Sequence, residues 1–326
     1  MRLACGPTSI PGVISPLVSV SVDLDAIECY HRIHALGEGP SGDARFAILR
    51  RALPRLGDLF AKHGVAATLF VVGRDLEADP EGARMVADLA KAGHEIASHS
   101  YSHPYDLVRL PREQMAAELD RAHAAIATAT GQAPVGFRAP GYEISAELIE
   151  LLCARGYRYD SSVFPAIPYY LAKAAVMAAL RVTGRKSGSI LGSARVLGAP
   201  CVPYRPAAAG PYRRGDLPIL ELPVTVTPVL RLHVIGTTLV IAPEWLRRRL
   251  VASALGTPHF NLELHGIDLA DATADGISPA LVRCQPDLRV SLERKLAALD
   301  RTLSEARSAA AKFLTLAAAA LHFSRG

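Results

Sequence analysis

The sequence predicts an α/β fold, a parallel sheet covered by helices and wrapped into a (β/α) barrel. Three observations point there. Apolar, strand-like runs alternate with helix-length amphipathic stretches, the pattern of parallel strands joined by covering helices. Polar residues able to do chemistry fall repeatedly where those strands end, and a parallel barrel carries its site there. A length of 326 residues suits one barrel of this kind, and a hydrophobic content of 50% against 21% charged residues is that of a chain able to bury a large core. The chain therefore reads as one domain over 1–326, with an insertion at about 165–216 and an apolar tail at about 309–326.

Taken in order, Val18, Val20 and Val22 mark a first strand over 17–23, and Gly37, Gly39 and Gly42 make 26–44 a loop suited to rimming a site. Phe46, Leu49, Leu53, Leu56 and Phe60 at helical spacing predict a helix over 45–63, closed by Gly64. A continuous apolar strand over 66–72 follows, then a helix near 80–92 and a strand feeding His99. A helix at about 112–130, a strand reaching Arg138, a helix at about 145–155 and a strand at 157–159 continue the alternation. Six prolines between Pro165 and Pro211 then bracket a helical piece over 169–180. The order resumes with a strand at 217–223, an apolar loop or hairpin at 229–241, and a helix opened by Pro243. A strand over 259–264 delivers His265, and a helix at about 287–308 precedes an apolar stretch at 312–323.

The chemistry centres on His99-Ser100-Tyr101-Ser102-His103, two imidazoles four positions apart with a small serine next to each. Neutral imidazole is a common ligand for zinc and related ions, and a catalytic site needs about three protein ligands and an open position. Asp23-Leu24-Asp25, at the end of the first strand, offers two carboxylates on the same side of an extended chain. One can bind a metal while the other moves protons. Taken alone, an H-x-x-x-H pair is a weak signal, and Asp at a strand end often caps a turn. Three more stretches join them: Arg138-Ala139-Pro140-Gly141-Tyr142, Tyr159-Asp160-Ser161-Ser162 and Leu262-Glu263-Leu264-His265.

In that order the five motifs resemble those of the polysaccharide deacetylase family (carbohydrate esterase family 4, NodB-like), over roughly residues 17 to 300. The resemblance implies a deformed (β/α) barrel and a metal-dependent hydrolase that removes an acetyl or formyl group from the amide nitrogen of an amino sugar. It implies Asp23 as general base, Asp25, His99 and His103 as metal ligands, and Arg138 as the residue orienting the base. Backbone N–H near Gly141 or Tyr142 would face the oxyanion, His265 would be the general acid, and Asp160 would lie near substrate and anchor Arg138. Zinc is the first expectation for the metal, with cobalt, nickel or manganese as alternatives. Leu24 separates two aspartates that are usually adjacent in the family, Gly141 stands where a tyrosine is common, and no Trp follows Asp160. The D-x-D form is similar to a subgroup with lipid-linked-sugar deformylase-like and allantoinase-like members. That keeps two further readings open: hydrolysis of a small cyclic amide, or a non-catalytic glycan-binding barrel.

A formal charge of +5 is mild for this length, and the basic runs Arg213-Arg214 and Arg247-Arg248-Arg249 lack interleaved aromatics, which argues against nucleic acid. Five scattered cysteines without C-x-x-C suggest neither a disulfide framework nor a structural zinc site. Pro7, Gly6, Pro11 and Gly12 break any apolar run before the first strand, so no signal peptide is expected and the sequence points to the cytoplasm. The stretches 169–183 and 312–323 are too short to span a bilayer. Each reads as a packed helix or as a peripheral contact with the inner face of a membrane, where the N-acylated sugar would be carried on a lipid.

Overall fold

In β1 (Leu17–Asp23), Val18, Val20 and Val22 point to the surrounding helices while Ser19 and Ser21 face the barrel lumen, and all five are buried. Cover on both faces is what a central parallel strand requires. The computed structural model describes residues 15–37 and 39–325. The leader reading and Cys5 concern residues 1–14 and lie outside the described residues.

After β1 the chain forms α1 (Ile27–Ile33), a 3₁₀ turn at Gly42–Phe46, a π turn at Ile48–Ala52 and α2 (Leu53–His63). The stretch 26–44 is therefore not all loop. Its glycines gather in the second half, and Ile27, Cys29 and Tyr30 bury α1 against the barrel. Gly64 ends α2 in the left-handed conformation, φ 55°. Next come β2 (Thr68–Val71), α3 (Gly73–Ala78), α4 (Pro80–Lys91), β3 (Glu95–Ser98), α5 (Arg112–Thr130), β4 (Gly136–Phe137), α6 (Ala146–Ala154) and β5 (Tyr159–Asp160).

The inserted stretch contributes α7 (Ile167–Val182) and a small antiparallel hairpin, β6 (Pro206–Ala207) and β7 (Gly210–Arg214). The barrel resumes with β8 (Leu220–Glu221), α8 (Gly236–Ile241), α9 (Glu244–Leu255), β9 (Phe260–His265), α10 (Pro279–Cys284) and α11 (Leu292–Ser308), then β10 (Lys312–Phe313) and α12 (Leu316–Ser324). The apolar stretch 229–241 ends as α8 rather than as a hairpin strand. The helix expected from 287 starts at Leu292, because Pro286–Arg289 turns as 3₁₀ and Ser291 caps α11.

All ladders of the main sheet are parallel. The strand order is β9-β1-β2-β3-β4-β5-β8, with β10 lying beside the start of β1. Between β8 and β9 no strand ladder forms among the described residues. Pro223 lacks the N–H a ladder needs, and the seam is closed by one backbone bond, from the Thr225 N–H to the Asn261 carbonyl at 3.3 Å, and by side chains. Asn261 Nδ2 donates to the Leu222 and Pro223 carbonyls at 3.1 and 3.3 Å and to Ser161 Oγ at 3.0 Å. The barrel is thus deformed at one seam, as expected.

At the floor, Phe70, Ala97, Tyr159 and Leu222 pack against Leu316, Ala319 and Ala320 of α12. Thr68 Oγ1 accepts the Leu316 N–H at 2.8 Å and Glu95 Oε2 that of Ala317 at 2.9 Å, which satisfies the helix start. The 312–323 stretch is therefore a plug under the barrel. No helix among the described residues is long and apolar enough to cross a membrane.

Candidate active site

Register sets the site's frame. Asp23, the last residue of β1, is level with His265 at the end of β9 and with Phe70 in β2. The alternation that turns Phe260, Leu262 and Leu264 to the helices turns Asn261, Glu263 and His265 to the lumen.

The His99–His103 loop is bent and braced. Ser100 and His103 adopt positive φ of 63° and 55°, a conformation non-glycine residues seldom hold unless their surroundings impose it. Here Gly73 and Arg74 of α3 donate to the Ser100 and Tyr101 carbonyls at 3.1 and 2.8 Å. From the other side Glu118 of α5 accepts the Tyr101 and Ser102 N–H groups and the Ser102 hydroxyl. His99 Nδ1 donates to the Arg138 carbonyl at 2.7 Å, which leaves Nε2 as the lone-pair nitrogen.

Asp25 Oδ1 lies 3.2 Å from His99 Nε2 and 3.1 Å from His103 Nε2. Two ligands sharing a zinc ion at about 2 Å are separated by about 3.3 Å when tetrahedral. Asp25 Oδ1 and both ring nitrogens of His103 are buried without a hydrogen-bond partner. Orphaned polar atoms of this kind are costly in a protein interior unless something satisfies them. Two imidazoles and one carboxylate fit zinc or a similar divalent ion and leave a position open. Burial alone would raise the Asp25 carboxyl, yet the facing His103 and His99 hold it well below the ordinary range.

Asp23 stays beside this set rather than in it, with Oδ2 3.9 Å from His99 Nε2. Its other oxygen accepts from Arg138 at 2.6 Å. The Arg138 guanidinium is fully buried over the Phe70 ring, and it also donates to Ser21 Oγ, Ser161 Oγ and the Ser161 carbonyl. Asp160 is not its anchor. That carboxylate is fully buried, accepts the Ser162 hydroxyl at 2.6 Å and is absent from the cleft wall, so the expected substrate contact does not hold. Its role is indirect, because Ser162 Oγ accepts the Ala139 N–H and so steadies the Arg138–Gly141 turn.

In that turn Gly141 and Tyr142 both have φ of 67°. A Cβ at Gly141 would come within 3.0 Å of the Tyr105 ring, so both space and backbone call for glycine. The Tyr142 N–H donates to the Ala139 carbonyl at 3.0 Å, and Gly141 lines the cleft. The Tyr142 hydroxyl donates to Glu263 at 2.5 Å and sits 3.2 Å from His265 Nε2. Burial pushes the Glu263 carboxyl up to about 7. Burial works against charge on His265, but Glu263, Asp23 and Asp25 together push the ring up to about 9. Asp268 holds the His265 backbone N–H at 2.9 Å.

The sequence profile of the polysaccharide deacetylase family matches residues 41–159. A peptidoglycan deacetylase of Helicobacter pylori is 32% identical over 158 residues, 48% of this chain and 53% of that one. A chitooligosaccharide deacetylase of a Bradyrhizobium species is 40% identical over 88 residues, 27% of this chain and 38% of that one. A crystal structure of a Mycobacterium smegmatis protein named for the same family covers 98% of this chain and 94% of its own at 21% identity, with a TM-score of 0.61. Residues 41–159 thus carry the family's sequence pattern, and the likeness to the solved structure shows the fold. It spans about half the length of the first curated relatives it matches.

The profile match holds His99, His103, Arg138, Gly141 and Tyr142, whereas Asp23, Asp25 and His265 lie outside it. Sequence reasoning missed Glu263 and Asn261. The period-2 alternation of 260–265 carried the signal, since it turns three polar residues to one face. It also missed the roof: Tyr169, Lys173, Val176 and Met177 of α7 help to enclose a cleft of about 260 Å³ over the site.

Proposed function

We propose that this protein is a metal-dependent hydrolase that removes an acetyl or formyl group from the amide nitrogen of an amino sugar. The observation that carries the reading is the convergence of Asp25, His99 and His103 beside a separate carboxylate, Asp23, with an imidazole on the facing strand. A divalent ion held by the three ligands, zinc in the first place, supplies Lewis acidity and lowers the pKa of water. Asp23, fixed by Arg138, takes up the proton released as water adds to the amide carbon. The Gly141 N–H donates to the developing oxyanion, an interaction worth about 2.7–4 kcal/mol where such donors have been removed. His265, charged at neutral pH beside Glu263, passes a proton to the departing amine.

The likeness to peptidoglycan and chitooligosaccharide deacetylases supports an N-acetylated amino sugar as substrate. The roofed cleft of about 260 Å³ suits one sugar unit at a chain end better than the middle of a polymer. We read that sugar as carried on a lipid, with the protein resting peripherally on the inner face of the membrane. α7 buries no residue fully and exposes Leu171 at 60% and Val182 at 88%. Ile27 and Leu36 also help to wall a second groove, of about 1030 Å³, with Arg185 and Arg283.

The test is amine release from N-acetylglucosamine conjugates, free and lipid-linked, by the zinc-loaded protein and its Asp23→Asn variant. The variant is expected to bind zinc normally and to lose about 10²–10⁴ in turnover. Equal activity in the two proteins, or none from the wild type on either conjugate, refutes the reading.

A further inference from the structure

Lys173 is the single charged residue between Ile167 and Leu180 of an otherwise apolar helix, and it faces the cleft. Its side chain is 12% exposed. The ammonium donates to the Gly141 carbonyl at 3.3 Å, and the nearest carboxylate oxygen, on Glu143, is 4.0 Å away. Glu143 accepts from the backbone N–H groups of Gly192 and Ser193, so it is committed elsewhere. An ammonium carries three donors. One carbonyl and a distant carboxylate leave both its charge and its donors under-matched, which is unfavourable for a group so little hydrated.

Arg138, the other cation at the site, is fully engaged by Asp23, Ser21 and Ser161. Among the described residues Lys173 is the one lysine or arginine lining the cleft. Two hydroxyl residues, Ser187 and Ser189, line the same cleft, on a segment tied down against α1. Ser187 Oγ donates to the Ile33 carbonyl at 2.7 Å, and the Gly188 N–H donates to the Arg32 carbonyl at 2.8 Å. Arg185 donates to the His34 and Ala35 carbonyls at 2.9 and 2.7 Å. The segment that follows α7 is therefore held in place against α1, and preorganised groups bind more selectively than mobile ones.

We propose that Lys173, with Ser189 beside it, forms a subsite for an anionic group, phosphate or carboxylate, borne by the sugar whose nitrogen is deacylated. The inference rests on the hydrolase reading above and narrows its substrate to acidic N-acyl sugars. Lys173 then has two contacts, the substrate anion on one side and the Gly141 peptide on the other.

The experiment compares zinc-loaded wild type, Lys173→Met and Lys173→Arg on three probes: N-acetylglucosamine 1-phosphate, N-acetylmuramic acid and the neutral N,N'-diacetylchitobiose. It reads kcat and KM for amine release, and Kd by calorimetry. The wild type should favour an acidic probe over the neutral one by about tenfold or more in KM. Lys173→Met should erase that preference and Lys173→Arg should keep most of it. The probe that is favoured tells phosphate from carboxylate. A wild type that treats all three alike overturns the inference and leaves the hydrolase reading standing. So does a Met variant whose kcat falls equally on all three with the preference intact, which would make Lys173 only a support for Gly141. Tight binding of an acidic probe, lost in Lys173→Met and without amine release, supports the subsite and refutes hydrolysis. Neither binding nor release by the wild type refutes both.

Discussion

Two carboxylates at opposite ends of the barrel, Asp25 buried at the mouth and Glu95 half-buried at the floor, have opposite surroundings. Glu95 accepts the Thr68 and Tyr159 hydroxyls and the Ala317 N–H at 2.8, 2.8 and 2.9 Å. Asp25 Oδ1 has no hydrogen-bond partner, although two imidazole nitrogens lie just beyond 3 Å. A satisfied carboxylate holds a structure together, whereas an orphaned one among lone-pair donors is held ready for something to bind.

The comparison breaks first at the mouth. Asp25→Asn is expected to weaken zinc binding by more than about 100-fold, since even outer-sphere partners contribute about 10–100-fold. It should leave the melting temperature of the metal-free chain unchanged or raised, and calorimetric zinc titration with thermal unfolding checks both. At the floor the outcome should reverse. Glu95→Ala strands two hydroxyls and a helix N–H, so about 2–4 kcal/mol of stability should go in a urea titration while zinc affinity stays.

Glu263→Gln sharpens the contrast within the mouth itself. In the metal-free chain, NMR titration should find His265 near 9, falling toward an ordinary value of about 6.5 in the variant. A histidine whose folded pKa is raised adds stability that is fully present below about 6.5 and is lost as pH rises through about 9. As general acid it must be protonated, so activity should fall on the alkaline side, and at lower pH in the variant. The smallest effect belongs to the roof. Leu171→Ser should change stability by less than about 0.5 kcal/mol, because the side chain is 60% exposed, yet reduce sedimentation with anionic vesicles.

Much of this was legible in the sequence because it depends on local periodicity. Alternating valines gave β1, helical spacing gave α2 and α5, and positions four apart gave the imidazole pair. Asp160 misled because a carboxylate at a strand end looks alike whether its side chain turns into the cleft or back into the wall. The two apolar stretches, 169–183 and 312–323, looked alike for a similar reason. Only the Thr68–Glu95 pair, more than two hundred residues earlier, sends α12 to the floor and leaves α7 at the mouth. The brace on the His99–His103 loop was equally hidden, because Glu118 sits on α5 with nothing in its neighbours to single it out.

The pairing of β1 with β9 and β10 has a consequence for how the protein is made. Val18, Val20 and Val22 leave the ribosome early, but the segments that flank them, 260–265 along one edge and 312–313 at the start of the other, are synthesised last. Contacts so distant in sequence form slowly, and an open edge of valines invites association with other chains meanwhile. Yield in a cell should therefore respond to chaperone supply and growth temperature more steeply than the finished barrel's stability would suggest.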